Sequence, residues 1–312
     1  MKANTGKTSF LLMTFIVCFS TAFAQGSTAE PVARYCFDGN ALDSSVNALH
    51  LTVVGNPQLC TDRHENPNTA YQLDGMGDYF QVDDNPLLRP QNFTISAWFS
   101  SEFKADYTRI IEKRYRVPLA PYGSYLLELS NDSALPKAHV ATNGAQNIIN
   151  SPQTVDYNSW HLLCATYDGT DFKLYLDGEI CNTMPLQGTI PYSDIPLCIG
   201  AAYPDAPNSN HFKGKLDEIR IYDFALTEPD IREMFDLATA PQNVVVVHTE
   251  SGIQISWESQ SAVSSYSLYS TENYLLPFPG NWTLEASGIT SNIWTDTNPE
   301  SAHKFYRLTA LQ

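Results

Sequence analysis

The feature that most constrains this chain is its punctuation. Between about Val32 and Tyr222 the apolar runs are short, rich in β-branched and aromatic residues, and closed by turn residues. LTVVG (from Leu51), YFQVDD (Tyr79), FTISAWF (Phe93), YLLEL (Tyr125), WHLLCATYDG (Trp160), FKLYLDG (Phe172) and PLCIG (Pro196) all read as strands. The YDG and LDG triplets, each followed by more strand-like sequence, are hairpin signals. Strands and helices do not alternate, so a doubly wound parallel sheet is excluded. The fold class predicted is all-β: an antiparallel jelly-roll sandwich, then a smaller immunoglobulin-like sandwich beyond ATAPQN (Ala238–Asn243). Six strand-like runs follow that boundary, from NVVVVHT to HKFYRLTALQ.

One helix is expected, just after the strand-like GKLDEIRIYDF. Thr227 is suited to its N-cap, Pro229 to its first turn and Asp230 to the capping box, with Ile231, Met234, Phe235 and Ala238 recurring at helical spacing. In the strand before it, Asp217 sits two residues before Ile219 and four before Ile221. A regular strand would turn all three to one face and set Glu218 opposite.

Eighteen Lys and Arg against 34 Asp and Glu give a formal charge of −16, which argues against a nucleic-acid partner. Lys2 and Lys7, the run Phe10–Phe19 and Ala22-Phe23-Ala24 form the pattern of a signal peptide over residues 1–24, leaving Gln25 first. The expectation is a secreted, extracellular or cell-surface protein with no membrane insertion after cleavage. Cys36, Cys60, Cys164, Cys181 and Cys198 then remain. Cys36–Cys60 is the favoured disulfide and Cys181–Cys198 a weaker second, leaving Cys164 buried and free. No CxxC spacing suggests zinc.

Five motifs in order resemble the laminin-G-like jelly roll of the concanavalin A-like lectin/glucanase fold. They are FDGNALDSSVN (from Phe37), YQLDGMGDYFQV, FTISAWF, WHLLCATYDGTDFKLYLDG and FKGKLDEIRIYDFALTEPDI. Val46, Cys164 and Phe224 depart from the family's usual residues. The resemblance assigns residues 30–238 to this fold. Residues 241–312 resemble a fibronectin type III domain that lacks its last strand, with APQNVVVV, IQISWES, SYSLYST and KFYRLTA as its A, B, C and F strands and Trp257 in its core.

The resemblance implies a structural calcium held by Asp38, Asn40, Asp43 and Asp217, since Ca²⁺ takes six to eight oxygen ligands. Equally open is a role for Asp217 as acceptor of backbone N–H bonds from the Phe37–Asn47 loop. No E-x-D-x-E, GxSxG or HExxH motif occurs, so no catalytic residue is assigned. His139, His161 and His248 are isolated and receive no ligand role, while Trp98, Trp160 and Trp257 are read as core.

Ligand contacts are sought in two loops, Lys113–Gly123 and Ala201–Phe212, through Arg114, Tyr115, Tyr122, Tyr203, Asn208 and His211. The function expected is non-catalytic recognition of a glycan, or of a matrix or other extracellular protein, in the manner of a lectin or adhesin. The alternatives are a polysaccharide-active enzyme or its accessory carbohydrate-binding module, and an architectural surface protein.

Overall fold

A computed structural model describes residues 30–104, 107–116, 120–130, 134–202, 210–238, 242–249, 252–258, 265–272, 282–297 and 304–311. The expected signal peptide, Tyr203 and Asn208 lie outside these residues. The chain divides into two units, one Ser27–Thr239 and the other including Ala240–Gln312.

The first unit carries β1 (Ala33–Tyr35), β2 (Thr52–Val54), β3 (Gln58–Cys60), β4 (Ala70–Asp74), β5 (Tyr79–Val82), β6 (Phe93–Ser101), β7 (Thr108–Arg114) and β8 (Gly123–Leu129). It continues with β9 (Pro136–Thr142), β10 (Ala145–Asn150), β11 (Trp160–Tyr167), β12 (Asp171–Leu176), β13 (Glu179–Pro185), β14 (Leu197–Ile199), β15 (Lys213–Tyr222) and α1 (Glu228–Ala238). An eight-stranded antiparallel sheet runs β13-β12-β11-β6-β15-β4-β3, with β1 also paired to β15; a seven-stranded sheet runs β10-β9-β8-β7-β14-β5-β2. Both sheets turn alternate side chains into one core, where Phe93 of β6 meets Tyr125 of β8 at 5.2 Å between ring centres. Each such buried apolar side chain contributes about 1.5–3 kcal/mol.

The helix begins as the capping box predicts. The Thr227 hydroxyl and N–H both donate to Asp230 Oδ2, at 2.5 and 2.9 Å. Its apolar face lies on the outer side of the eight-stranded sheet, where Phe235 stacks on Trp98 at 5.6 Å and 14°. Trp98 and Trp257 are buried and Trp160 is partly so.

The expectation for β15 fails at one residue. Leu216, Ile219 and Ile221 all join the core between the sheets, a spacing no regular strand produces. The pairing with β6 shifts between Asp217 and Arg220, and Glu218 takes φ +45°. This β-bulge inserts an extra residue and inverts the face. Asp217 therefore pairs with Trp98 on the helix-covered side, opposite to Ile219 and Ile221.

Neither expected disulfide forms, and all five cysteines are free. Cys36 Sγ lies 3.3 Å from Ser44 Oγ. Cys181 is in β13 of one sheet and Cys198 in β14, inside the other, so the fold separates that pair. Cys164 is fully buried, as expected.

The second unit comprises β16 (Gln242–Thr249), β17 (Gly252–Glu258), β18 (Ser265–Thr271), β19 (Thr283–Ile289), β20 (Ile293–Asp296) and β21 (Phe305–Leu311). They form two three-stranded sheets, β16-β17-β20 and β19-β18-β21, around Trp257, Ile255, Tyr266 and Leu268. Among the described residues no helix is long and apolar enough to cross a membrane.

Candidate functional site

The implied calcium ligands do not assemble. Asp43 spends its carboxylate on the backbone N–H groups of Arg34, Ser45 and Leu49, at 2.7–2.9 Å, and on the Ser45 hydroxyl. Asn40 Oδ1 accepts from Leu42 N–H, and Asp38 is exposed. Asp217, 2% exposed, accepts from Arg63 at 2.5 Å and from Glu218 N–H at 2.8 Å, with no bond to the Phe37–Asn47 loop. Burial pushes its carboxyl up to about 8, against the pull of Arg63. No group of three or more His, Cys, Asp or Glu suited to a metal occurs among the described residues. The four residues do not fit a Ca²⁺ ion, because the side-chain oxygens of Asn40, Asp43 and Asp217 already hold protein donors, leaving only the exposed Asp38 carboxylate.

A different set of charged groups gathers on the outer face of the seven-stranded sheet. In β7 the consecutive Ile110 and Ile111 both enter the core, and the register against β8 shifts between Arg109 and Ile111. That bulge turns Arg109 and Glu112 outward together. Arg109 then stands beside Glu128 of β8, which stands beside Lys137 of β9. His139 follows two residues after Lys137, opposite Ile148 of β10.

These side chains form one network. Glu128 is bound by the Arg109 guanidinium and by His139 Nε2 at 2.8 Å. Gln146 Nε2 donates to His139 Nδ1 at 2.5 Å, so Nε2 carries the proton that His139 gives to Glu128. Burial, with Arg109 and Lys137 nearby, pulls the imidazole down to about 3 and keeps it neutral. Arg114 binds Glu112 at 2.8 Å, while Arg109 Nε stands 3.9 Å from Glu112 Oε2. Glu112 and Glu128 are 0% and 2% exposed. Burial also lowers the Arg109 guanidinium.

Over this floor lies a groove of about 370 Å³, lined by Tyr107, Arg109, Arg114, Tyr122, Glu128, Lys137, His139, Gln146, Ile148 and Asn210. Tyr107 and Tyr122 are 40% and 37% exposed, and each ring has a cation 5.3 Å from its centre, Lys137 Nζ and Arg114 respectively. The sheet thus presents aromatic faces beside amide, guanidinium and ammonium donors.

Of the expected ligand residues, Arg114 and Tyr122 line the groove. Tyr115 packs under Arg116 outside its lining. His211 is buried against Tyr79 at 6.0 Å, and its neighbour Asn210 reaches the groove, its carbonyl accepting from Arg109 N–H at 2.9 Å. Arg109, Glu128, Lys137 and Gln146 escape the sequence reading, and His139, which it leaves isolated and without a ligand role, lines the groove bonded to Glu128. Lys137 and His139 share a strand face at positions i and i+2, a spacing that could have exposed them. A larger cavity, about 610 Å³, lies in the second unit. Its one lining cation among the described residues, Lys304, is bound to Glu285 at 3.0 Å and Asp296 at 2.9 Å, and Glu272 leaves the lining net acidic.

The sequence pattern of the concanavalin A-like lectin/glucanases superfamily matches residues 74–232, just over half of the chain. The chain belongs to this superfamily. No curated protein matches it. Among solved structures of similar shape is domain 4 of AbnA, an extracellular arabinanase from Geobacillus stearothermophilus, in complex with arabinotriose. It is 18% identical, with 66% of this chain and 98% of that chain covered and a TM-score of 0.52. The binding domain of botulinum neurotoxin DC is similar in complex with SialylT (13% identity, 82% and 68% covered, TM-score 0.50). It is similar also in complex with rat synaptotagmin II (12%, 83% and 70%, 0.50). At these identities the likeness is one of fold.

Proposed function

We propose that this concanavalin A-like protein is an exported, non-catalytic carbohydrate-recognition protein that binds glycan in the groove over β7–β10. The observation that carries the reading is the pair of half-exposed tyrosines, Tyr107 and Tyr122, lining one groove with the planar end groups of Arg109, Arg114 and Gln146. Sugars present apolar ring faces and a fringe of hydroxyls, and this surface offers a counterpart to each. Similar domains solved with arabinotriose and with SialylT support the assignment. The signal-like N-terminus supports export.

A glycosidase of this fold would present two carboxylates to the sugar, roughly 5–9.5 Å apart. Glu112 is sealed beneath the surface, and Glu128 is shared between Arg109 and His139. This favours binding over hydrolysis. The second unit is proposed to be of fibronectin type III kind. In support, the expected A and B strands pair in one sheet and the expected C and F strands in the other, with Trp257 buried.

The test is a glycan array probed with purified Gln25–Gln312. Binding to at least one glycan class is expected, and Tyr122→Ala should weaken it about tenfold, equivalent to about 1.4 kcal/mol. An array blank throughout would end the reading.

A further inference from the structure

The charge balance of the groove is opposite to that of the chain. The whole protein carries a formal −16, yet among the described residues three cations, Arg109, Arg114 and Lys137, line the groove against the single carboxylate of Glu128. Counting Glu112 behind the surface still leaves the cations in excess. His139 adds no charge, being neutral with both nitrogens engaged. Two of the cations are committed, Arg109 to Glu128 and Arg114 to Glu112. The surplus falls on Lys137. It is half-buried, its ammonium lies 5.3 Å from the centre of the Tyr107 ring, and no carboxylate of the described residues pairs with it.

We infer that the groove selects glycans that carry a carboxylate, with the sugar stacked on the tyrosines and its acid group on Lys137. The inference rests on the carbohydrate reading above and adds the ligand class. A neutral sugar would leave the Lys137 charge to water. An acidic sugar makes a charge-assisted bond in a partly desolvated groove, where such bonds are strongest. The excess negative charge of the chain as a whole disfavours polyanions elsewhere. The same carboxylate chemistry occurs in uronate polymers and in terminal sialic acid, and the two differ in the spacing of their charges.

The experiment uses two matched pairs by calorimetry: trigalacturonate with its methyl ester, and 3′-sialyllactose with lactose. The result expected is binding of at least one acidic member, about tenfold or more weaker binding of its neutral counterpart, and weakening by added salt. Lys137→Gln should erase the difference while melting like the parent protein, because Lys137 makes no ion pair with the described residues whose loss would unfold it. The pair that responds identifies the source of the acid. Equal affinity within both pairs, or selectivity retained by Lys137→Gln, overturns the inference and leaves carbohydrate binding standing. So does silence of all four probes when neutral glycans bind on the array. A protein that binds no glycan of either kind refutes both.

Discussion

Asp217 and His139 titrate in opposite senses, and each leaves a mark on stability. The Asp217 carboxyl rises from 3.8 to about 8 through burial, with Glu218 and Asp62 adding repulsion and Arg63 opposing. Between those values the folded chain holds a proton that the unfolded chain has released. The stability from this group is complete below about pH 4 and lost as pH rises through about 8. Asp217→Asn, which fixes the neutral form, should flatten the fall in melting temperature between pH 6 and pH 8.5. An unchanged slope would show that Arg63 keeps the carboxylate ionised. His139 does the reverse, falling from 6.5 to about 3 through burial and its cationic neighbours. There the unfolded chain takes up the proton first. Its share of stability is complete above about pH 6.5 and lost as pH falls toward 3. His139→Gln should flatten the acid limb of the same curve. Each tenfold difference in proton affinity corresponds to about 1.4 kcal/mol. The two slopes oppose one another between about pH 4 and 6.5, so only the variants separate them.

At the scale of elements, two bulges decide where charge goes. The one in β7 brings Arg109 and Glu112 to the groove floor, and the one in β15 moves Asp217 to the helix-covered face. Period-2 reading fails at such a residue, since it assumes unbroken register. That is why an otherwise regular pattern puts Asp217 on the side opposite to the one it takes. Strands that are apolar along much of their length were legible: YFQVDD, FTISAWF, YLLEL, WHLLCATY, FKLYLDG and PLCIG correspond to β5, β6, β8, β11, β12 and β14. The strands that carry most of the groove, TRIIEKR, PKAHVAT and AQNIIN, stand outside those runs because their outward positions are polar. The site was hidden by the same alternation that builds it. Close approach of β15 to β6 is the other demand at this scale. Gly214 has φ +132°, and a Cβ there would lie 2.2 Å from the Ser100 carbonyl oxygen. Gly214→Ala should therefore cost about 1–3 kcal/mol, the range for a residue forced into a disfavoured conformation. Urea denaturation would register it as a lower midpoint with unchanged m.

At the scale of the molecule, the ordered motifs from Phe37 to Ile231 were sufficient to read the jelly roll, because each marks a turn or strand junction that the sandwich repeats. The metal implied by the same resemblance does not transfer, and the reason lies in how this chain closes its N-terminal edge. The Val32 carbonyl accepts from the Ser45 hydroxyl and the Asn47 amide. Asp43 gathers three backbone N–H groups, and Glu218 takes Arg220 at 2.8 Å with Arg34 at 3.6 Å. Arg63 occupies Asp217, so a guanidinium stands where the implied calcium would. Closure by protein donors has a measurable consequence. A structural Ca²⁺ at a hundred times its dissociation constant would add about 2.7 kcal/mol. For a unit of this size that is roughly 5–11 °C in melting temperature, at about 2–4 °C per kcal/mol. The expectation is coincident melting curves in excess Ca²⁺ and in EDTA. An upward shift of that size in Ca²⁺ would mean that a cation displaces Arg63 or opens the Asp43 turn, and Arg63→Gln would then enlarge the shift if Asp217 is the ligand released.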